Sequence, residues 1–227
     1  MSSEAAGSAP LDPKIVHSQA VYTRGKLSIY DKWVLGVFCP VVWRCPPGEM
    51  RRLYDDNAGA RHLDVGPGTG YFVDRCRFPT DNPDITLLDL STECLEMSAR
   101  VLSRYRPKVC QANLMEPLPL PAGQFDSVGM NLVFHTIPGG WDGKGIIFKH
   151  VAETMRPGGV LFGTSVLAEG VPMNGLTRKM LLEQHRRGNF QNQGDDPEGL
   201  KRQLATYFPS YQVRIRGAVA IFTATAG

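Results

Sequence analysis

The stretch His62-Leu63-Asp64-Val65-Gly66-Pro67-Gly68-Thr69-Gly70-Tyr71 decides the fold of this chain. A short apolar run ends on an acidic residue and meets three glycines at alternate positions. Glycine is used where a backbone turns sharply or approaches a ligand closely, because it has no Cβ that would clash. A helix that starts just beyond the glycines would offer free backbone N–H groups and the positive end of its dipole to an anion. The stretch therefore predicts a strand, a ligand-binding loop and a helix start.

The glycine spacing separates two classes of nucleotide ligand. Gly66, Gly68 and Gly70 follow the pattern G-x-G-x-G. Tyr71 stands where the dinucleotide fingerprint G-x-G-x-x-G has its last glycine. This mismatch disfavours NAD and FAD as ligands.

Composition limits the function classes. The chain has 227 residues, 42% hydrophobic and 21% charged, which is typical of one soluble globular domain. A formal net charge of +3 gives no nucleic-acid footprint. The five cysteines show no C-x-x-C spacing, which predicts reduced thiols in a cytoplasmic protein and no metal site. Both a monomer and a homodimer stay open.

The N-terminal region contains no predicted membrane span. Residues 1–12 are rich in Ser, Ala, Gly and Pro without a basic start, which is typical of a disordered tail rather than a signal peptide. The apolar stretch from Trp33 to Trp43 is only about half of the roughly 20 residues that a spanning helix needs. We therefore expect this stretch to be buried or interfacial.

From residue 59 onward, short apolar runs alternate with helix-like segments, which predicts an α/β fold with a Rossmann-like, mostly parallel sheet and helices on both faces. One predicted helix has apolar positions from 95 to 105 and Ser91 as its N-cap. Another has them from 147 to 155 and is expected to end at Pro157-Gly158-Gly159. The predicted strands are 61–65, 85–89, 108–112, 127–133 and 160–166, followed by a hairpin of 211–216 and 218–223.

Two segments lie outside this alternating core. Residues 13–57 form a predicted N-terminal helical cap, and residues 168–195 a possible substrate cap with a basic helix at 176–187. Ligands of open α/β sheets bind beyond the carboxyl ends of the strands, where such segments can act as lids. The interpretation is a single domain over 13–227, with the core at 58–167 and a C-terminal helix and hairpin at 196–227.

The motifs resemble, in order, those of the class I S-adenosylmethionine-dependent methyltransferases. The run Asp64-Val65-Gly66-Pro67-Gly68-Thr69-Gly70 is similar to their motif I. The later signals are Leu87-Leu88-Asp89-Leu90-Ser91 at the second strand, Gln111-Ala112-Asn113-Leu114 at the third, Phe125-Asp126-Ser127-Val128 leading to Asn131 as motif IV, and Met155-Arg156-Pro157-Gly158-Gly159-Val160-Leu161 at the fifth. The resemblance covers residues 60 to 166 and implies a seven-stranded sheet with an antiparallel C-terminal strand.

The resemblance also implies how S-adenosylmethionine would bind and leave as S-adenosylhomocysteine. Asp64 would face the ammonium group, directly or through water, beside the loop of Gly66, Gly68 and Gly70. Asp89 would accept both ribose hydroxyls, since a carboxylate at the end of the second strand can do so, although it could also be a helix cap. The remaining implied contacts are Asn113 at the adenine amino group, Leu90 and Leu114 on the adenine faces, and Asn131 toward the cofactor.

His135 is the candidate catalytic residue. It follows the fourth predicted strand on the loop that faces the acceptor in the family, and histidine can take a proton near neutral pH. The alternative is a structural histidine hydrogen-bonded to the backbone. Methyl transfer from a sulfonium is a direct displacement that depends mainly on positioning and desolvation, so no base is obligatory.

Aromatic residues are candidates for the acceptor pocket. Among Tyr22, Tyr30, Trp33, Trp43 and Trp141, we expect Tyr22, Tyr30 and Trp141 to bind the substrate. The flanking region at Trp43-Arg44-Cys45-Pro46 and the chain length resemble small microbial natural-product methyltransferases.

The sequence thus predicts methyl transfer to an O, N, S or C atom of a small molecule. Microbial secondary metabolism is a candidate setting for this reaction, and neither nucleic acid nor a membrane is expected as a partner. Two alternatives stay open. One is a protein or RNA methyltransferase, for which a stronger basic surface or an added domain would be expected. The other is a protein that binds the cofactor without methylating, as a binding protein or a rearrangement catalyst.

Overall fold

A computed structural model describes residues 31–227 and contains one seven-stranded sheet. The strands are β1 (Arg61–Val65), β2 (Asp84–Asp89), β3 (Lys108–Gln111), β4 (Phe125–Asn131), β5 (Met155–Val166), β6 (Ser210–Arg216) and β7 (Val219–Thr225). Their order is β3-β2-β1-β4-β5-β7-β6, with β1 to β5 parallel and β7 antiparallel to both β5 and β6. The predicted fold class is confirmed.

Helices cover both faces of the sheet. They are a π-helix (Asp31–Val42), α1 (Pro47–Asn57), α2 (Tyr71–Asp74), α3 (Thr92–Val101), α4 (Gly140–Lys144), α5 (Ile146–Thr154), α6 (Gly175–Arg186) and α7 (Pro197–Tyr207). Ser91 caps α3 as predicted, because its side chain accepts a hydrogen bond from the Cys94 N–H. The predicted tail at 1–12, the first part of the cap at 13–30 and the residues Tyr22 and Tyr30 lie outside the described residues.

Neighbouring strand residues enter opposite cores because side chains alternate across a sheet. Leu88 and Leu161 pack on the face covered by α4, α5 and α7. Leu87 and Phe162, each one position away, pack on the face covered by the π-helix, α1 and α3. Burial on both faces explains why these strands read as continuous apolar runs rather than as alternating patterns.

Several predicted element boundaries differ from the observed ones, most clearly at the start of β5 and at the end of β4. The helix predicted through Met155 ends at Thr154, and Met155 starts β5. Pro157-Gly158-Gly159 does not end the helix. It lies inside β5, where the pairing with β4 shifts register. The fourth strand ends at Asn131 rather than residue 133, because Leu132 takes a positive φ of 60° and turns the chain.

In the first cap segment, the π-helix exposes some of its large apolar residues and buries smaller ones. Trp33 and Val41 are more than half exposed. Leu35 and Cys39 are buried in the core that contains α1.

Among the described residues, no helix is long and apolar enough to cross a membrane, and no group of His, Cys, Asp and Glu could hold a metal ion.

Close contact between β4 and β5 generates the first prediction. A Cβ at Gly163 would lie 2.2 Å from the Met130 carbonyl oxygen and 2.7 Å from Phe222 Cζ. Gly163→Ala should therefore lower the free energy of unfolding by about 2 kcal/mol, because a packed interior resists added volume. Chemical denaturation measures this change.

Gly143→Ala is the matched control, since a Cβ there meets nothing within 4 Å. In helix α4 this change should leave the stability unchanged or raise it by up to about 1 kcal/mol. Equal effects of the two substitutions would contradict the close packing of β4 on β5.

Candidate functional site

A cleft enclosing about 1080 Å³, part of it open to solvent, lies at the carboxyl ends of β1 to β4. This is the edge at which ligands bind in open parallel sheets. Seven residues predicted to bind a cofactor line it: Gly66, Gly68, Asp89, Leu90, Asn113, Leu114 and Asn131. The structure therefore gathers residues that are up to 65 positions apart in the chain, from Gly66 to Asn131, around one cavity.

The glycine loop is held close to its neighbours. Gly66 has a φ of +66° and donates its N–H to the Leu88 carbonyl oxygen at 2.8 Å. A Cβ on Gly66 would come within 2.7 Å of Val133 Cγ2, so the loop needs glycine for both its conformation and its packing. The helix predicted after the loop is a single turn, Tyr71–Asp74, and its dipole is correspondingly small.

Asp89 ends β2 at the cleft. Its Oδ1 accepts the Ser91 N–H at 2.9 Å. Burial, and to a smaller extent the charge of Asp64, raises the pKa of Asp89 to about 6, while backbone hydrogen bonds from Ser91 and Leu90 oppose that rise. A largely desolvated carboxylate is a strong acceptor for hydroxyl groups of a ligand.

Asn113 forms the turn after β3. Its Oδ1 accepts the Met115 N–H at 3.1 Å, and its Nδ2 donates to Glu116 Oε1 at 3.2 Å. These contacts fix the amide at the cleft wall, next to Leu114. An amide oxygen has two lone pairs, so Oδ1 can accept a second hydrogen bond from a ligand.

Asn131 ends β4 with an unpaired donor. Its Oδ1 accepts the Thr164 hydroxyl. Its Nδ2 is buried and has no hydrogen-bond partner within residues 31–227. A buried unpaired amide is costly unless a ligand completes it. Leu132 follows with a left-handed backbone, a strain that is common at functional sites.

Asp64 lies behind the cleft wall. It does not line the cavity, although Val65 and Gly66 next to it do. Its side chain is buried, and Oδ1 accepts the Tyr54 hydroxyl at 2.7 Å. The Asp64 carboxylate is therefore buried behind the residues that line the cleft, whereas the sequence predicted that it faces the ligand.

His135 is also one layer away from the cleft, whose wall here is formed by Thr136 and Ile137. Its ring packs at 4.2 Å from the Phe190 ring, and its Nδ1 is buried without a hydrogen-bond partner in the described chain. Burial, followed by the charge of Lys144, lowers the pKa of His135 to about 3. A neutral imidazole of such low basicity in this position does not support the predicted role as a general base.

Trp141 is a core residue rather than part of an acceptor pocket. It is 4% exposed, packs against Phe134 and Phe148, and donates its Nε1–H to the Asp196 carbonyl oxygen at 2.9 Å. It is absent from the described lining of the cleft. Its core packing therefore does not support the predicted role in substrate binding.

The two cap segments differ in their relation to the cleft. The π-helix contributes Leu35 to the wall. No described residue of 168–195 lines the cleft. That segment is instead tied to the core, since Asn192 Nδ2 donates to the Val166 carbonyl oxygen at 2.7 Å and Gln191 N–H donates to the His135 carbonyl oxygen at 2.8 Å.

Sequence reasoning missed a buried ion pair that shapes the cleft wall. Lys144 and Asp195 are fully buried and paired, and Lys144 Nζ also donates to the carbonyl oxygens of Phe134 and Ile137. Burial lowers the pKa of Lys144 and raises that of Asp195 to about 6. No sequence pattern indicates this pairing, because Lys144 lies between two glycines and Asp195 follows 51 residues later.

Comparisons with known proteins match this chain to methyltransferases. A family model described as "Methyltransferase domain" matches residues 44–206. Demethylluteothin O-methyltransferase of Streptomyces thioluteus is 43% identical over 94% of this chain and 93% of its own length. Physcion biosynthesis cluster O-methyltransferase of Aspergillus chevalieri is 33% identical over 93% of this chain and 97% of its own length.

A solved structure has the same fold. The DhpI–SAH complex has a TM-score of 0.66 and 21% sequence identity, with 96% of this chain and 99% of that chain covered. At this identity the likeness concerns the fold alone.

The buried pair generates the second prediction. Lys144→Met should lower the free energy of unfolding at pH 8 by about 3 kcal/mol, because it leaves Asp195 buried without its cation. The loss should shrink toward pH 5, since the raised pKa of Asp195 in the folded state lets it take up a proton there before the unfolded chain does. Denaturation curves at the two pH values measure this.

Lys201→Met is the matched control, because Lys201 pairs with Glu198 on the surface. It should leave the stability unchanged at both pH values. A Lys144→Met loss that is the same at pH 5 and pH 8 would contradict the role assigned to Asp195.

Proposed function

Since the chain belongs to the class I S-adenosylmethionine-dependent methyltransferases, we propose that it transfers the methyl group of this cofactor to a hydroxyl oxygen of a small, largely apolar molecule. The observation that carries the proposal is the cleft at the carboxyl ends of β1 to β4, where Asp89, Asn113 and Asn131 meet the glycine loop. The small net charge of +3 supports an acceptor other than nucleic acid.

The cofactor contacts are assigned to residues of this cleft and to Asp64 behind its wall. Asp89 accepts the ribose hydroxyls, and the Asn113 oxygen accepts the adenine amino group between Leu90 and Leu114. The backbone of the loop at Gly66, Gly68 and Gly70 lies along the methionyl part. Asp64 takes the ammonium group from behind the loop, directly or through water.

The chemistry requires little from acid–base groups. When bound, the cofactor supplies an electrophilic methyl group on a sulfonium. The acceptor oxygen would bond to the methyl carbon as the carbon–sulfur bond breaks with its electron pair left on sulfur, which gives S-adenosylhomocysteine. The hydroxyl proton would pass to solvent through the open part of the cleft. The protein contributes in-line positioning and exclusion of water, so the reaction does not depend on His135.

The apolar part of the cleft supports the nature of the acceptor. Leu35, Leu132 and Ile137 line it together with Tyr71 and Phe72. Such a surface favours an aromatic or aliphatic body over a charged one, because burial of apolar area is favourable. The names of the two relatives, both O-methyltransferases, support oxygen as the atom methylated.

The cofactor assignment predicts stabilisation by S-adenosylhomocysteine. A ligand that binds only the folded state stabilises it by about 2.7 kcal/mol at 100 times its Kd. Thermal unfolding with and without the ligand should show this increase, and Asp89→Ala should lose most of it. Absence of any shift in the wild-type protein would contradict the cofactor assignment.

Binding should also depend on pH through Asp89. Ribose hydroxyls donate to the ionised carboxylate, whose pKa in the folded protein is about 6. The affinity for S-adenosylhomocysteine should therefore be constant above pH 7 and fall by about tenfold per pH unit below pH 6. Calorimetric titration of Asp89→Asn should lack this dependence, and an equal affinity of the wild type at pH 5 and pH 8 would refute the ribose role.

The acceptor assignment predicts a preference for oxygen. We expect mass spectrometry to detect methyl transfer from S-adenosylmethionine to members of a panel of substituted phenols and not to the anilines of matched shape. Methylation of the anilines with the phenols unmodified would contradict the proposal, while leaving the cofactor assignment intact.

A further inference from the structure

A buried hydrogen bond joins helix α1 to the first strand of the core. The Tyr54 hydroxyl donates to Asp64 Oδ1 at 2.7 Å, and both residues are 2% exposed. Burial, followed by the charge of Asp64, raises the pKa of Tyr54 well above its usual range. The phenol therefore keeps its proton and stays a donor throughout the physiological pH range.

The Tyr54 ring is fixed by other aromatic rings. Phe162 meets it edge-on at 4.9 Å, and Phe72 stacks on it at 5.5 Å. Phe72 also lines the cleft. These contacts hold the ring from two sides and so fix the direction of its hydroxyl group, which points at the Asp64 carboxylate.

The neighbouring strand leaves space for this contact. Gly129 of β4 pairs with Asp64 of β1 in the sheet. A Cβ on Gly129 would lie 2.9 Å from Asp64 Oδ1 and 3.2 Å from Tyr54 Oη. A side chain larger than hydrogen at position 129 would therefore push against both partners.

His62 does not substitute for Tyr54. Its Nδ1 bonds to Ser127 Oγ at 2.8 Å. Its Nε2 is 3.7 Å from Asp64 Oδ1, beyond hydrogen-bond distance, and has no hydrogen-bond partner in the described part of the chain.

The charge of Asp64 reaches the cleft although the side chain does not line it. It adds to the effect of burial in raising the pKa of Asp89, which does line the cleft. The orientation of the Asp64 carboxylate therefore matters to a cation bound there, because the interaction energy depends on distance.

We propose that Tyr54 is a positioning residue for the cofactor, whose hydroxyl holds the Asp64 carboxylate in the orientation that receives the ammonium group of the methionyl part. This rests on the proposed function, in which Asp64 takes that group. Tyr54 itself does not line the cleft. A role in packing alone would instead make Tyr54 equally important for every ligand of the cleft.

Two ligands separate these roles. S-adenosylhomocysteine carries the amino-acid part, whereas 5′-methylthioadenosine keeps the adenosine and lacks the ammonium group. Tyr54→Phe removes only the hydroxyl, so it should weaken S-adenosylhomocysteine binding by about tenfold, as expected for a hydrogen bond to a charged group. Binding of 5′-methylthioadenosine should not change. Calorimetric titration of both ligands gives the two dissociation constants.

Tyr211→Phe is the matched control, because Tyr211 lies on the partly exposed edge strand β6 and should bind both ligands as the wild type does. Unchanged S-adenosylhomocysteine binding by Tyr54→Phe would overturn the proposal. An equal loss for both ligands would also overturn it, in favour of packing. Failure of the wild type to bind S-adenosylhomocysteine would instead refute the proposed function.

Two further variants test the route through Asp64. Asp64→Asn should show the same selective loss, and adding Tyr54→Phe to it should cause no further loss, because residues acting through one contact are not additive. Full additivity would overturn the proposal. Should Tyr54→Phe not fold, Gly129→Ala decides by the same two titrations, since it crowds Asp64 Oδ1 from the opposite strand.

Discussion

The parallel pairing of β1 with β2 on one side and β4 on the other is the constraint on which the site depends. Parallel strands end at one edge of the sheet, so the residues that follow them meet there. Gly66, Asp89 and Asn131 are distant in sequence yet line one cleft for this reason. The pairing also places Gly129 beside Asp64, so the same register that builds the cleft wall leaves room for the acid behind it.

The part of the site that follows from local sequence was predictable. A strand that ends in an acid or an amide is visible as an apolar run with a polar stop, and Asp89, Asn113 and Asn131 all line the cleft as the resemblance implied. Strand ends were less predictable, since Leu132 terminates β4 through a left-handed backbone that its side chain does not favour.

Two residues that the sequence predicted for catalysis and substrate binding do not line the cleft. His135 and Trp141 lie within a few positions of the cleft wall, yet both turn into the core, where Phe190 and Phe148 pack on them. Phe190 is 55 positions from His135, and the Asp196 carbonyl oxygen that Trp141 binds is also 55 positions away, so no local pattern reveals these contacts. The same holds for Lys144 and Asp195, whose pairing supports the loop that carries Thr136 and Ile137.

Two layers of polar groups therefore surround the cleft, and they differ in what they can do. Asp89, Asn113 and Asn131 present atoms to the cavity and suit direct contacts with a ligand. Tyr54 and Lys144 are buried behind it and act on the wall, through Asp64 and through the 134–137 loop. A displacement that depends on alignment rather than proton transfer gains most from such fixed walls, because a small misplacement of the reacting atoms raises the barrier. Methyl transfer is therefore compatible with a buried His135 that does not line the cleft. It is not compatible with a cleft wall whose residues no longer hold their positions.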